Sequence, residues 1–289
     1  MRIILVADTF VPHQSSAAVQ LRDLSREIVR QGHDLTVLLP SEKQVTPWVS
    51  EDFDGVRIIR LKSPRIKDVS YIRRTLAEFI MPFAMLWRFR RSGMFNGSWD
   101  GVVWYSPSIF HGPLVQALKR KGNSRSYLII RDIFPEWAVD MGLMSRGIAY
   151  YFFKLVAYYQ NANADVIGVQ SSGNLSYFEN WKSKPKCELQ VLHNWLAPPA
   201  RLRCSIRLNE THLSGRKVFV YSGNMGVAQG MDILLDLAEE LAHRNDLGFL
   251  FVGRGSETQR LKCLLLLSSR HLSDNQSQFF YSLRLYHNF

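Results

Sequence analysis

Six short apolar, β-branched runs are spaced through the first 171 residues: "IILVA" (3–7), "LTVLL" (35–39), "VRIIRL" (56–61), "GVVWYS" (101–106), "YLIIRD" (127–132) and "DVIGVQS" (165–171). Each is bounded by turn residues and separated from the next by an amphipathic stretch, the pattern of a parallel sheet covered on both faces. The first connecting helix is plain. Leu21, Leu24, Ile28 and Val29 recur at helical spacing, Arg22, Asp23, Arg26, Glu27 and Arg30 fall on other faces, and Gly32 supplies the stop.

The rhythm breaks at "HNWLAPPARLRCSIRLNETHLSGR" (193–216), where Pro198 and Pro199 sit in a stretch without a sustained period. A second α/β unit then begins: "KVFVYSGNMG" (217–226) predicts a strand entering a glycine loop. "MDILLDLAEELAHR" (231–244) predicts a helix, and "LGFLFVGRG" (247–255) a second strand and glycine loop. The organisation expected is therefore a first domain over 1–196, a connection over 197–216 and the start of a second domain over 217–262. Residues 263–289 form a tail that shares neither period nor composition with what precedes it.

An apolar fraction of 46% can fill a core in a chain of 289 residues. The three cysteines, Cys187, Cys204 and Cys263, are widely spaced and form no C-x-x-C, so neither a disulfide framework nor a zinc site is indicated. Met1 runs almost directly into a strand pattern, which leaves no room for a cleavable leader and predicts a cytoplasmic location. The apolar run "FIMPFAMLW" (79–87) is about half of the roughly 20 residues a spanning helix needs, and Pro82 interrupts it. The net charge of +11 calls for an anionic partner. Much of it falls in residues 57–91, where ten basic residues face only Asp68 and Glu78. No interleaved basic and aromatic module is present, so nucleic acid is not the expected partner.

Three stretches can carry chemistry. "SGNMGVAQG" places Gly223, Gly226 and Gly230 between a strand and a helix, and "VGRGSE" (252–257) repeats the device with Gly253 and Gly255. Such loops serve as plain turns, or as sites where an anion reaches backbone N–H groups and a positive helix end. Neither is a dinucleotide fingerprint or a P-loop. "IIRDIFPEW" (129–137) puts Arg131 and Asp132 at a strand's carboxyl end, either as a salt-bridged terminus or as a polar pair poised at a cleft. "SSAAVQL" begins with Ser15 and Ser16, which suit close ligand approach but suit an ordinary helix N-cap better.

These stretches, together with "RDIFPEWAVDMGLM", "ADVIGVQSSGN", "VLHNW" and "FVGRGSE", occur in an order that resembles the retaining glycosyltransferases of family 4 with the GT-B fold. The nearest resemblance is to the WbuB-type N-acetyl-L-fucosamine transferases of O-antigen and capsule assembly, and it covers residues 1 to about 262. The resemblance implies an α/β, GT-B-like protein of two Rossmann-like doubly wound domains. The first would take the acceptor and the second, incomplete here, a UDP-sugar. It implies no metal, because backbone amides and basic side chains stabilise the leaving diphosphate.

Carried over residue by residue, Arg131 and Asp132 would lie near the transferred sugar. Gly223, Asn224, Gly226, Gln229, Gly253, Arg254 and Gly255 would lie on the donor diphosphate side, and Ser15 and Ser16 on the acceptor side. Asn224 and Gln229 stand where many relatives have an arginine and a lysine, so Arg254 is the candidate cation. The acceptor implied is a polyprenyl-diphosphate-linked sugar at the inner face of the cytoplasmic membrane. Basic residues of 57–91 beside "FIMPFAMLW" would then hold the enzyme at an anionic membrane surface.

The chain departs from the family in one diagnostic respect: no two of its glutamates are eight positions apart, so the family's donor-site glutamate pair is missing. The tail "CLLLLSSRHLSDNQSQFFYSLRLYHNF" has the look of a shifted reading frame. Sugar transfer by this chain is therefore expected to be impaired. The alternatives are a non-catalytic acceptor- or lipid-binding remnant and a nucleotide-sugar epimerase of the same fold, for which a cluster of cleft carboxylates and histidines would be needed.

Overall fold

The computed structural model describes residues 1–13, 15–66, 69–181, 187–198, 207–211, 213–261 and 263. The chain forms two compact units, Met1–Pro199 and Ala200–Phe289. The expected connection 197–216 lies partly outside the described residues, and the expected tail lies outside them beyond Cys263.

In the first unit, β1 (Arg2–Val6) leads to α1 (Ser16–Arg30) and β2 (Asp34–Ser41). A hairpin of β3 (Trp48–Phe53) and β4 (Val56–Lys62) comes next. It is followed by α2 (Tyr71–Arg91), β5 (Gly101–Tyr105), α3 (Gly112–Gly122) and β6 (Arg125–Ile129). The unit closes with α4 (Glu136–Asp140), α5 (Ile148–Ala162), β7 (Val166–Val169) and β8 (Glu188–Val191). The sheet order is β3-β4-β2-β1-β5-β6-β7-β8, parallel except at β3.

The sheet is covered on both faces, as the continuous apolar runs require. On one face Leu5, Leu35, Val37 and Ile58 pack with Leu21 of α1. On the other, Ile4, Ile59, Leu61 and Trp104 pack with Met81, Met85 and Phe89 of α2 and Leu114 of α3. Pro82 does not end α2, which runs unbroken from Tyr71 to Arg91. Ser15 caps α1, its Oγ accepting from the Ala18 N–H at 3.3 Å. The N-cap reading of that loop is the one the structure bears out.

The structure adds two particulars to these expectations. The sheet is mixed, because β3 pairs antiparallel with β4 through an Asp54-Gly55 turn in which both residues have positive φ. The basic run 57–91 is not one patch. Ile58 packs on the α1 face and Ile59 and Leu61 on the α2 face, so strand alternation puts Arg60 and Lys62 on the α1 face, away from α2. There Arg60 pairs with Glu51 at 2.6 Å and donates to the Val11 carbonyl at 2.5 Å.

In the second unit β9 (Lys217–Asn224) pairs parallel with β10 (Leu247–Arg254), and α6 (Met231–Glu240) connects them. Met231 and Ala238 of α6 meet Phe249 and Phe251 in a small core. The helix ends four residues earlier than its apolar period suggests.

Candidate functional site

The parallel strands of the first sheet deliver their carboxyl ends to one edge. At β1 and β5 the connections change face, α1 packing on one side and α2 on the other. Open α/β sheets leave a crevice at such a point. Asp8, just beyond β1, and His111, at the start of α3, meet here: Nε2 of His111 lies 2.9 Å from Asp8 Oδ1. His111 is fully buried, and its Nδ1 has no partner among the described residues. The loop carrying it is held from α5, since Gln160 Oε1 accepts from the His111 N–H at 3.1 Å and Gln160 Nε2 donates to the Ser108 carbonyl at 3.0 Å.

Arg131 and Asp132 both line a pocket of about 230 Å3 with Trp137, Asp140, Asn174 and Tyr177. The strand β6 ends at Ile129, two residues before Arg131, and Ile129 and Ile130 enter opposite cores. Arg131 reaches the α1 face. There its Nη2 donates to Gln20 Oε1 at 3.0 Å and its guanidinium lies 5.5 Å from the Trp195 ring centroid and 6.0 Å from that of Tyr105. Trp195 Nε1 in turn donates to the Gln20 carbonyl at 2.8 Å, and Gln170 Nε2 donates to the Arg131 carbonyl. Asp132 lines a pocket of about 400 Å3 with Ser106, Glu136 and Lys154. Burial pushes its carboxyl above the usual value, against the pull of Arg131.

In the second unit the glycines of the two loops serve one another. A Cβ on Gly253 would fall 1.9 Å from the Gly223 carbonyl oxygen, and one on Gly255 would fall 2.2 Å from that of Met225. The loops are laced by Met225 N–H to the Arg254 carbonyl at 2.8 Å and Glu257 N–H to the Met225 carbonyl at 2.9 Å. Gly230 has φ +56°, a conformation that glycine adopts without cost. Gln229 Oε1 accepts from the Gly226 N–H at 3.0 Å and from Asn224 Nδ2 at 2.9 Å. Arg254 is exposed and stands opposite Asn224 in the strand register. Of the two residues expected on the acceptor side, Ser15 caps α1 and Ser16 is exposed on its first turn.

Among the described residues no group of three or more His, Cys, Asp or Glu could hold a metal ion, and no helix is long and apolar enough to cross a membrane. No family model matches the chain. It is 24% identical over 281 residues to the probable glycosyltransferase WbjE of Pseudomonas aeruginosa, covering 90% of this chain and 65% of that protein. It is 21% identical over 287 residues to the putative colanic acid biosynthesis glycosyl transferase WcaI of Escherichia coli K12, covering 91% and 68%. The trehalose-phosphate synthase of Burkholderia xenovorans, solved with glucose-6-phosphate, superposes with a TM-score of 0.65 at 12% identity, over 99% of this chain and 75% of that one. HepE of Anabaena, solved with UDP and glucose, gives 0.57 at 12% identity over 98% and 69%. The fold is GT-B.

Within this GT-B chain several residues at the sheet edge have no mark in the sequence. His111 sits in "SIFHGP" and Gln20 and Gln160 in ordinary helical stretches, with no spacing that joins them across 91 and 49 positions. The hairpin did have a signal, since an Asp-Gly dipeptide between apolar runs marks a tight turn.

Proposed function

We propose that the protein is a glycosyltransferase that moves a sugar from a UDP-sugar to a lipid-linked acceptor during polysaccharide assembly. One observation carries this reading: the similarity to two glycosyltransferases runs over about nine tenths of the chain and so reaches both units. The finer assignments rest on the sequence resemblance: N-acetyl-L-fucosamine as the sugar, retention at the anomeric carbon, family 4, and a polyprenyl-diphosphate acceptor. Docking at the inner face of the cytoplasmic membrane, through cations of the 57–91 region, belongs to the same reading.

The arrangement suits that chemistry. Asp132 in its pocket and Asp8, backed by the fully buried His111, are polar groups at the crevice that can orient a sugar, while Arg131 positions the segment carrying Trp195. Arg254 is the cation available to a diphosphate at the second-unit loops. The chain spans 65% of the length of WbjE and 68% of that of WcaI.

The test is acceptor-dependent release of UDP from a panel of UDP-sugars by the purified chain, with UDP binding measured by calorimetry. Acceptor-dependent release at any rate above background supports the assignment. Failure to bind either UDP or the lipid-linked acceptor overturns it.

A further inference from the structure

The outer face of the first unit carries two apolar stripes that no described element covers. On α2, Ile72, Leu76, Ile80, Phe83 and Trp87 recur at helical spacing and are all exposed. On α5 the same spacing joins Ile148, Tyr151 and Leu155, with Ile148 92% and Leu155 67% accessible. The helices α2 and α5 flank α3, and Phe79 of α2 meets Phe152 of α5 at a ring separation of 6.4 Å.

Between the stripes runs a groove of about 700 Å3. Its walls include Phe83 of α2 and Leu155 and Tyr159 of α5, and Ala117 of α3 forms part of its floor. Arg90 and Arg120 line it too, and Lys121 stands beside them: Arg90 and Lys121 both lie over the Phe95 ring, at 5.4 and 4.4 Å. Arg88 and Arg91 flank the exposed Trp87 ring at 5.6 and 4.8 Å. Glu78 is the sole acidic residue on α2, α3 or α5, and it is paired with Arg74.

A large exposed apolar patch marks an interaction surface. Here the patch is rich in Tyr and Trp, the residues that settle at a membrane's headgroup level, and one end of its groove is cationic. A hydrocarbon chain attached to a phosphate has the matching form.

We infer that α2 and α5 together form a membrane-docking face, whose groove takes one acyl chain of an anionic bilayer phospholipid with the phosphate held by Arg90 and Arg120. This rests on the membrane association proposed above and adds to it α5 and a lipid-chain site. The arginines draw the unit to the anionic leaflet, the two stripes sink into the interface, and the chain in the groove fixes the orientation.

Flotation of the 289-residue chain with phosphatidylcholine vesicles, with and without phosphatidylglycerol, tests it. The chain floats with the anionic vesicles and not with the neutral ones. The pair Tyr151→Ser and Leu155→Ser, both exposed and so harmless to the core, lowers partitioning by at least about tenfold. The pair Arg90→Gln and Arg120→Gln lowers it by about thirtyfold. Ala117→Trp, with an unchanged melting midpoint, fills the groove and weakens binding. If the α5 pair and Ala117→Trp bind as the wild type does while Ile72→Ser with Trp87→Ser does not, the inference is overturned and docking by α2 alone stands. If the wild-type chain floats with neither vesicle, or equally with both, the membrane reading and this inference fall together.

Discussion

Asn224 and Gln229 are bonded to each other, Nδ2 to Oε1 at 2.9 Å, and the same oxygen takes the Gly226 N–H. The loop is thus closed by a neutral clamp that uses up one of its own backbone donors. A diphosphate approaching it would depend on a charge from elsewhere. Arg254, opposite Asn224 in the register, is placed to supply it. Arg254→Gln should weaken UDP binding by about 1.5–3 kcal/mol, the range for a hydrogen bond to a charged group, with little change in melting midpoint. Calorimetric titration with UDP checks both halves of that statement.

The glycines make a separable prediction. Gly253→Ala drives a methyl group to 1.9 Å from the Gly223 carbonyl oxygen, a backbone atom that cannot swing aside. Gly226→Ala meets only the ends of the Gln229 and Asn224 side chains, at 2.9 and 3.0 Å. Overpacking of the first kind costs about 1–3 kcal/mol or more, so Gly253→Ala should unfold the second unit at lower urea. Gly226→Ala should shift that transition much less. Equal shifts would mean that loop packing does not set the requirement for glycine.

The apolar runs revealed the strands β1, β2, β4, β5, β6, β7 and β10 because each of them buries most of its apolar residues; β9 was legible from its run of apolar residues although Phe219 and Val220 are exposed. The edge strands β3 and β8 are half exposed and have no such run: "WVSEDF" mixes both kinds of residue, and "ELQV" is too short to show a period. At the site, sequence could place Arg131 and Asp132 near a strand end, but what each one meets depends on the loop that follows Ile129, where β6 stops. The Asp8–His111 pair spans 103 positions, and only the sheet order brings its members together.

Asp132 and Asp165 should respond to pH in opposite senses. Burial raises the Asp132 pKa above its ordinary 3.8, so ionisation penalises the fold as pH rises through the raised value. Asp132→Asn should therefore stabilise the first unit near neutral pH, and the gain should vanish below 3.8. Asp165 is also pushed up by burial, but Lys119 and Ser126 outweigh that and hold its pKa below 3.8. Asp165→Asn should destabilise at neutral pH, and the loss should fade as pH falls through the lowered value. Urea unfolding of each variant against the wild type, at neutral and acid pH, reads both slopes. A neutral-pH stability gain at Asp132 would mark a residue kept for chemistry rather than for the fold.

Removing Asp8 should expose how much the fold needs its partner. Asp8→Ala leaves His111 fully buried with neither ring nitrogen bonded among the described residues, at a cost of about 1.5–3 kcal/mol. Asp8→Asn keeps an acceptor oxygen in place and should cost less. Denaturant midpoints of the two variants separate these outcomes, and equal losses would show that charge rather than hydrogen bonding holds the pair.

Arg131 offers the sharpest test of a positioning role. Its guanidinium lies near both Trp195 and Tyr105 and donates to Gln20, while Trp195 separately donates to the Gln20 backbone. Lysine keeps the charge but loses the planar face and the fork, so Arg131→Lys should cost about 1–2 kcal/mol. The loss should concentrate in residues 192–198, whose amide hydrogens should exchange faster than those of β6. Gln20→Ala removes the partner of the same guanidinium but leaves the Trp195 bond to the backbone intact. Its effect combined with Arg131→Lys should therefore fall short of the sum of the two. Strict additivity, or exchange that quickens equally across the whole first unit, would show that Arg131 only stabilises the sheet and does not hold the segment at the crevice.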